Sequence, residues 1–181
     1  SVAFNQVAQD REGTSQDPWA RWLRGWTAEE NRHGDLLNAY LRLGGRVDMR
    51  AVERTVQTLL VNGFNSNGGV DPYNLLVYTS FQERATRVSH GNVGRLAEQA
   101  GDPGLGRICR VIAGDETRHE TFYTRMMGHV LDADPAGGIL AFATMLDRQI
   151  AMPGQFMADA SEPHLFDEFA AVAQQIGRAH V

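Results

Sequence analysis

The sequence predicts an all-α bundle, and three observations carry that expectation. Asp-Pro occurs four times, at Asp17-Pro18, Asp71-Pro72, Asp102-Pro103 and Asp134-Pro135. Glycines stand where helices begun at those pairs should stop, at Gly44-Gly45, Gly63, Gly101 and Gly177. Between these marks apolar residues recur at helical spacing, while no convincing two-residue alternation or fixed-length repeat occurs. The physical basis is local. An Asp side chain accepts from the free N–H groups of a first helical turn, and Pro at the next position gives up no hydrogen bond there. Glycine takes the backbone conformation that closes a helix.

The first helix is expected from about 18 to 43, with Leu36, Leu37, Tyr40, Leu41 and Leu43 near its end. A shorter one follows Asp48, carried by Val52, Val56, Leu59 and Leu60, and Asn65 to Val70 reads as a Gly/Asn-rich loop. Two long helices are expected at about 72–100 and 103–131, each roughly 40 Å long at 1.5 Å per residue. The tight Gly101-Asp102 turn makes them antiparallel. Two more are expected at about 135–151 and 164–176, with Pro153 and Pro163 as breaks.

A chain of 181 residues, 43% hydrophobic and 22% charged, fits one domain with a sizeable core. The absence of any run of roughly 20 apolar residues argues against membrane insertion. A net charge of −5 argues against a nucleic-acid binder. Cys109 is the single cysteine, which excludes an internal disulfide and a thiolate metal cluster and fits a reducing compartment. The start, SVAFNQVAQDREG, has neither a signal-peptide pattern nor an initial Met, so the true N-terminus is expected upstream.

Chemistry concentrates in two segments, Glu30-Asn31-Arg32-His33 and Glu116-Thr117-Arg118-His119. Each places a carboxylate and an imidazole three residues apart, on one helix face. Oxygen and nitrogen ligands together suit iron or manganese. One Glu-x-x-His is a weak signal, but two on two long helices match the ferritin-like di-iron pattern, which adds one Glu from each of two other helices. Glu83 is the best candidate for one of these. Alone it would read as a surface Glu paired with Arg84 or Arg87.

Longer runs then carry a family resemblance. Trp26-Thr-Ala-Glu-Glu-Asn-Arg-His-Gly-Asp-Leu-Leu37, Gly45-Arg-Val-Asp-Met-Arg50 and Tyr78-Thr-Ser-Phe-Gln-Glu-Arg-Ala-Thr86 resemble the soluble, plant-type acyl-[acyl-carrier-protein] desaturases. So do Ser89-His-Gly-Asn92, Asp115-Glu-Thr-Arg-His-Glu120, Ala151-Met-Pro153 and Leu165-Phe-Asp167, in the same order, from about Trp19 to Gly177.

The resemblance implies a ferritin-like bundle, a four-helix core with additional helices, holding two carboxylate-bridged irons. Carried over, the metal ligands are Glu30, His33, Glu83, Glu116 and His119. Asp115 and Glu29 are expected to accept from the outer nitrogens of His33 and His119 respectively. Thr86, three residues after Glu83, resembles the family's threonine beside the oxygen site, and with Asp115 is the candidate catalytic pair. Trp26 is a candidate electron route, against a plain reading as core. Leu75, Leu76 and Thr79 are expected to line an acyl tunnel. Plant members have Gly-Phe where this chain has Leu75-Leu76, which adds volume there and implies a different chain length or double-bond position.

The implied reaction uses O2 and two electrons from ferredoxin to place a cis double bond in a fatty-acyl chain on acyl carrier protein. A homodimer is also implied, in a bacterial-type cytoplasm or, for a plant, the plastid stroma. The family's sixth ligand is a Glu on an earlier helix. Residues 1–10 contain no Glu, and Asp10 and Glu12 correspond to the acidic turn after that helix. The chain, one ferritin-like domain over 1–181, therefore reads as the central fragment of a longer desaturase with one core helix largely missing. An empty or partly filled metal site is expected for such a fragment, and an inactive one is a further reading. The alternative function is a ferritin-like iron store, which would need the same ligands but no acyl tunnel. Gly45 to Arg50 and Met152-Pro153, outside the ligand helices, favour the desaturase. His90, His129, His164 and His180 read as structural or surface residues, Met126 and Met127 as packing, and Cys109 as inert core.

Overall fold

The computed structural model describes residues 4–5, 10, 12–158, 161 and 163–178, the last seven by backbone alone. Six α-helices occur among them, α1 (Pro18–Gly44), α2 (Met49–Asn62), α3 (Pro72–Gln99), α4 (Pro103–Ala133), α5 (Pro135–Asp147) and α6 (Leu165–Arg178). A 3-10 turn spans Pro153–Phe156, and no strand occurs among the described residues.

Every aspartate marked in the sequence as a helix start caps one. Asp17 accepts from Trp19 N at 2.8 Å, Asp71 from Asn74 N at 2.9 Å, Asp102 from Leu105 N at 3.0 Å and Asp134 from Gly137 N at 2.9 Å. Asp48 does the same for Arg50 N at 2.9 Å. Two ends differ from expectation. α5 stops at Asp147 rather than near 151, because Gln149 takes a left-handed φ of 63° that no helix continues through. Gly177 is not a stop, since α6 runs through it to Arg178. His180 lies outside the described residues.

The chain divides into two compact units. The first is Ser1–Asp35, Ser66–Ala85 and Asp115–Ile150, and the second is Leu36–Asn65, Thr86–Gly114 and Ala151–Val181. In the first unit Leu23, Leu75, Leu76, Val77, Tyr78, Tyr123, Met127, Ala141 and Met145 form one apolar core. Its wall is aromatic. Trp22 stacks on Phe122 with ring centroids 3.7 Å apart, and its indole N–H reaches the Tyr123 hydroxyl at 3.4 Å. This packing holds the three helix segments that carry the polar cluster described below.

In the second unit residues 86–114 form a helical hairpin. Gly101 turns it at φ 80°, and Asp102 N donates to Ala97 O at 2.7 Å. The hairpin closes tightly because Gly94 has no side chain, since a Cβ there would lie 3.1 Å from Cys109 Cβ. Cys109 is fully buried, and burial pushes its thiol up, away from the nucleophilic thiolate. Asp102 also accepts from the Tyr40 hydroxyl and from Arg46 Nη1 at 2.8 Å. The Leu105 N–H and these two donors together hold its carboxyl below the usual range.

Candidate metal centre

Three helix segments of the first unit bring the ligand candidates together. α1 presents Glu29, Glu30 and His33, α4 presents Asp115, Glu116 and His119, and α3 presents Glu83. Glu83 and Glu116 are 2% exposed and His119 1%. Glu83 is therefore not the surface residue that an isolated Glu beside Arg84 suggests; Arg84 turns to Glu120 at 3.8 Å. Glu30, Glu83, Glu116 and His119 each offer one ligand atom, and the four atoms lie within 4.8 Å of one another.

His33 completes the pattern from one side. His119 Nδ1 lies 3.1 Å from Glu30 Oε1 and 3.6 Å from Glu116 Oε2. His33 Nδ1 lies 3.9 Å from Glu30 Oε2 and 3.6 Å from Glu116 Oε1. Glu30 and Glu116 thus each turn one oxygen toward each histidine, while Glu83 sits on the His119 side, 3.2 Å from Nδ1.

The outer ring nitrogens are held as well. His33 Nε2 is 3.0 Å from Asp115 Oδ2, and His119 Nε2 is 2.8 Å from Glu29 Oε2. A carboxylate on Nε2 holds that nitrogen's proton outward and turns Nδ1 to the inner glutamates. Trp26 donates its indole N–H to Glu83 Oε1 at 2.9 Å. That contact pins one glutamate oxygen and leaves Oε2 turned to His119.

Charge sets the protonation of this cluster. Burial pushes Glu83 up to about 8, with the neighbouring Glu116 and Glu30 charges adding to it. Burial opposes ionisation of Glu116 too, but the nearby His119, His33 and Glu83 outweigh it and hold that carboxyl well below the usual range. Burial would lower His119, yet the surrounding Glu116, Glu30, Glu83 and Glu29 raise it to about 12. His33 is raised the same way, by Glu116 and Asp115 against its burial. Asp115 is held at about 2; its burial is overcome by His33, Arg118 and Arg32.

A metal ion fits these residues. Glu30 Oε1 and Glu116 Oε2 are buried without a hydrogen-bond partner among the described residues. The 3.1 Å approach of His119 Nδ1 to Glu30 leaves that oxygen unsatisfied, because the ring's single inward N–H is directed at Glu83. An orphaned buried carboxylate oxygen is costly unless a cation meets it. In the metal-free centre at pH 7, Glu83 and His119 hold protons that a bound cation must displace. Metal binding in weak buffer is therefore expected to release protons, and affinity to climb as pH rises toward about 8. An indicator-dye titration checks this; affinity independent of pH between 6 and 8 would contradict it.

Residues 1–179 match the family model described as fatty acid desaturase. The chain belongs to that family. Among its relatives, a chloroplastic stearoyl-[acyl-carrier-protein] 9-desaturase of Gossypium hirsutum is 54% identical over 93% of this chain and 43% of its own length. The chloroplastic stearoyl-[acyl-carrier-protein] 9-desaturase 6 of Arabidopsis thaliana is 55% identical over 93% of this chain and 43% of its own. The chloroplastic enzyme of that name from Spinacia oleracea is 53% identical, covering 94% and 43%. The chain thus spans less than half the length of these relatives. Among the described residues, no helix is long and apolar enough to cross a membrane.

The other expected residues are placed as follows. Leu75, Leu76 and Thr79 are buried, the two leucines in the apolar core of the first unit, and Thr79 donates to Leu75 O at 2.8 Å. Thr86 is half-buried, follows Glu83 by three residues on α3 and belongs to the second unit. His129 and His164 are exposed, and Met127 is packed in the core. A cavity of about 390 Å3 opens beside His119 and Glu29, walled by Trp22, Trp26 and Phe122.

Sequence reasoning missed two residues at the centre. Arg32 and Arg118 sit against Asp115 at 2.9 and 2.6 Å. The signal was present. Glu29-Glu30-Asn31-Arg32-His33 and Asp115-Glu116-Thr117-Arg118-His119 share the order acid, Glu, any residue, Arg, His, and not only Glu-x-x-His.

Proposed function

We propose that this chain forms the metal-binding part of an acyl-[acyl-carrier-protein] desaturase carrying two carboxylate-bridged irons. The reaction removes two vicinal hydrogens from a saturated fatty-acyl chain, and two electrons and two protons join them in reducing O2 to two waters. The product is a cis double bond. The observation that carries this reading is the pair Glu30 and Glu116, each offering one oxygen to each of two histidines. Glu30 and Glu116 would thereby be available to two cations at once, and the relatives' names supply the chemistry such cations would serve.

Iron, when bound, supplies the O2 chemistry that acid–base side chains cannot perform on an unactivated C–H bond. The chain's own residues prepare the place. Glu30, Glu116, Glu83 and His119 would hold one ion, and Glu30, Glu116 and His33 the other. Asp115 and Glu29 fix both histidines by their outer nitrogens. Trp26 fixes Glu83. The inner glutamates bring negative charge to a buried place, which favours cations.

Leu75, Leu76 and Thr79 are proposed to shape the acyl tunnel, and Thr86 and Asp115 to act beside the oxygen site. Trp26 is the proposed electron route. Acyl carrier protein presents the substrate, ferredoxin gives the electrons, and the enzyme is a homodimer in the cytoplasm, or in the plastid stroma of a plant. The reading is tested with full-length protein, reduced ferredoxin, O2 and acyl-carrier-protein substrates of several chain lengths. A cis-monounsaturated product from at least one substrate is expected. Iron uptake with no unsaturated product from any chain length would instead favour the iron store.

A further inference from the structure

Four charges lie behind the two histidines and outside the ligand set. Arg118 Nη2 is 2.6 Å from Asp115 Oδ1 and 3.2 Å from Glu29 Oε1. Arg32 Nη2 is 2.9 Å from Asp115 Oδ2 and 3.7 Å from Glu29 Oε1. Each arginine faces both carboxylates, and each carboxylate faces both arginines. The ring of charges follows from the repeated five-residue order. Acid and arginine stand three apart on one helix face. Asp115 of α4 reaches across to His33 of α1, and Glu29 of α1 reaches back to His119 of α4.

Magnitude separates a stabilising role from a positioning one. The arginine side chains are 51% and 57% exposed, and ion pairs of such groups contribute little to stability. The carboxylates they meet also hold the histidines: Asp115 Oδ2 lies against both Arg32 and His33, and Glu29 Oε2 against His119. Asp115 in particular is buried, with a side chain 7% exposed. Without a cation behind it, a buried carboxylate that must also hold an imidazole rotates toward water. That movement releases the histidine.

We propose that Arg32 and Arg118 are positioning residues of the metal site, which together fix the carboxylates that orient His33 and His119, each covering for loss of the other. This rests on the metal reading above. The shorter contacts make Arg118 the stronger member. Neither guanidinium is a ligand, so each acts through Asp115 and Glu29.

Co(II) serves as a spectroscopic probe of the site in full-length protein. Arg32→Gln and Arg118→Gln are each expected to weaken Co(II) binding by a few-fold, Arg118→Gln the more. The double variant is expected to weaken it by about 10- to 100-fold, the usual cost of losing an outer hydrogen-bond partner, and by more than the product of the singles. The visible Co(II) spectrum of the double variant should change as the histidines reorient, while the Tm of the metal-free protein stays nearly constant. Arg32→Lys with Arg118→Lys should recover part of the affinity, since an ammonium keeps the charge but lacks the planar guanidinium whose Nη2 lies between the two carboxylates. Wild-type protein that binds no Co(II) overturns the metal reading, and this inference with it. Wild-type binding with a double variant of equal affinity and spectrum overturns this inference alone, as does a double variant equal to the product of the singles.

Discussion

His119→Ala in the full-length protein is expected to abolish desaturation, with a loss well beyond the roughly 10- to 100-fold that removal of an outer partner costs. No other described residue meets Glu30, Glu83 and Glu116 at once with one nitrogen while a second nitrogen is held from behind by Glu29. Removing the ring takes one ligand from the more complete half of the site and leaves three inner carboxyls to face each other. The helices survive, because the packing of Leu23, Tyr123, Met127 and Met145 does not pass through His119. Far-UV circular dichroism should remain helical while turnover and iron content fall together. Unchanged desaturation would remove His119 from the site.

Glu83→Gln is expected to be nearly as damaging to function and to act oppositely on stability. The amide keeps the shape, accepts from Trp26 and can still donate to Glu116, but it is a poor ligand for a hard cation. Iron loading on the His119 side and turnover should both be lost. Burial raises the native Glu83 to about 8 from an ordinary 4.5, so the folded state keeps a proton that the unfolded state has released. The stability this proton gives the metal-free protein is therefore present at low pH and lost as pH rises through about 8. Gln cannot ionise and escapes that loss. The melting temperature of metal-free Glu83→Gln relative to wild type should rise from pH 5 to pH 9, from a lower starting value because the amide NH2 in place of Oε2 cannot accept from His119. The same difference at both values would contradict the placement of Glu83 as a buried, proton-bearing carboxyl.

Much of the architecture was legible because its signals are local. Asp17, Asp71, Asp102 and Asp134 each bond to a backbone N–H two or three residues on, so each helix start needs only a few neighbouring residues. The end of α5 was not legible, because the left-handed φ of Gln149 lies on a residue type that gives no such signal. Periodicity gave α2 but not its surroundings. Val56 and Leu60 share its apolar spacing, yet both are exposed.

At the centre, Glu-x-x-His twice over pointed to residues that α1 and α4 do bring together, because spacing of three fixes a shared helix face. The pairing of Asp115 with His33 and Glu29 with His119 runs between helices, and was readable only through the habit of a metal-bound histidine to donate its outer N–H to a carboxylate. The arginines escaped notice for a different reason. An exposed arginine on a helix is ordinarily a solvated residue, and only the three-dimensional meeting of two such residues with two carboxylates marks Arg32 and Arg118 as part of the site.

Metal analysis of the iron-reconstituted full-length protein tests the di-iron reading most directly. Two irons per chain are expected, about one for each histidine, with Glu30 and Glu116 shared between them. One zinc per chain and no iron would contradict it.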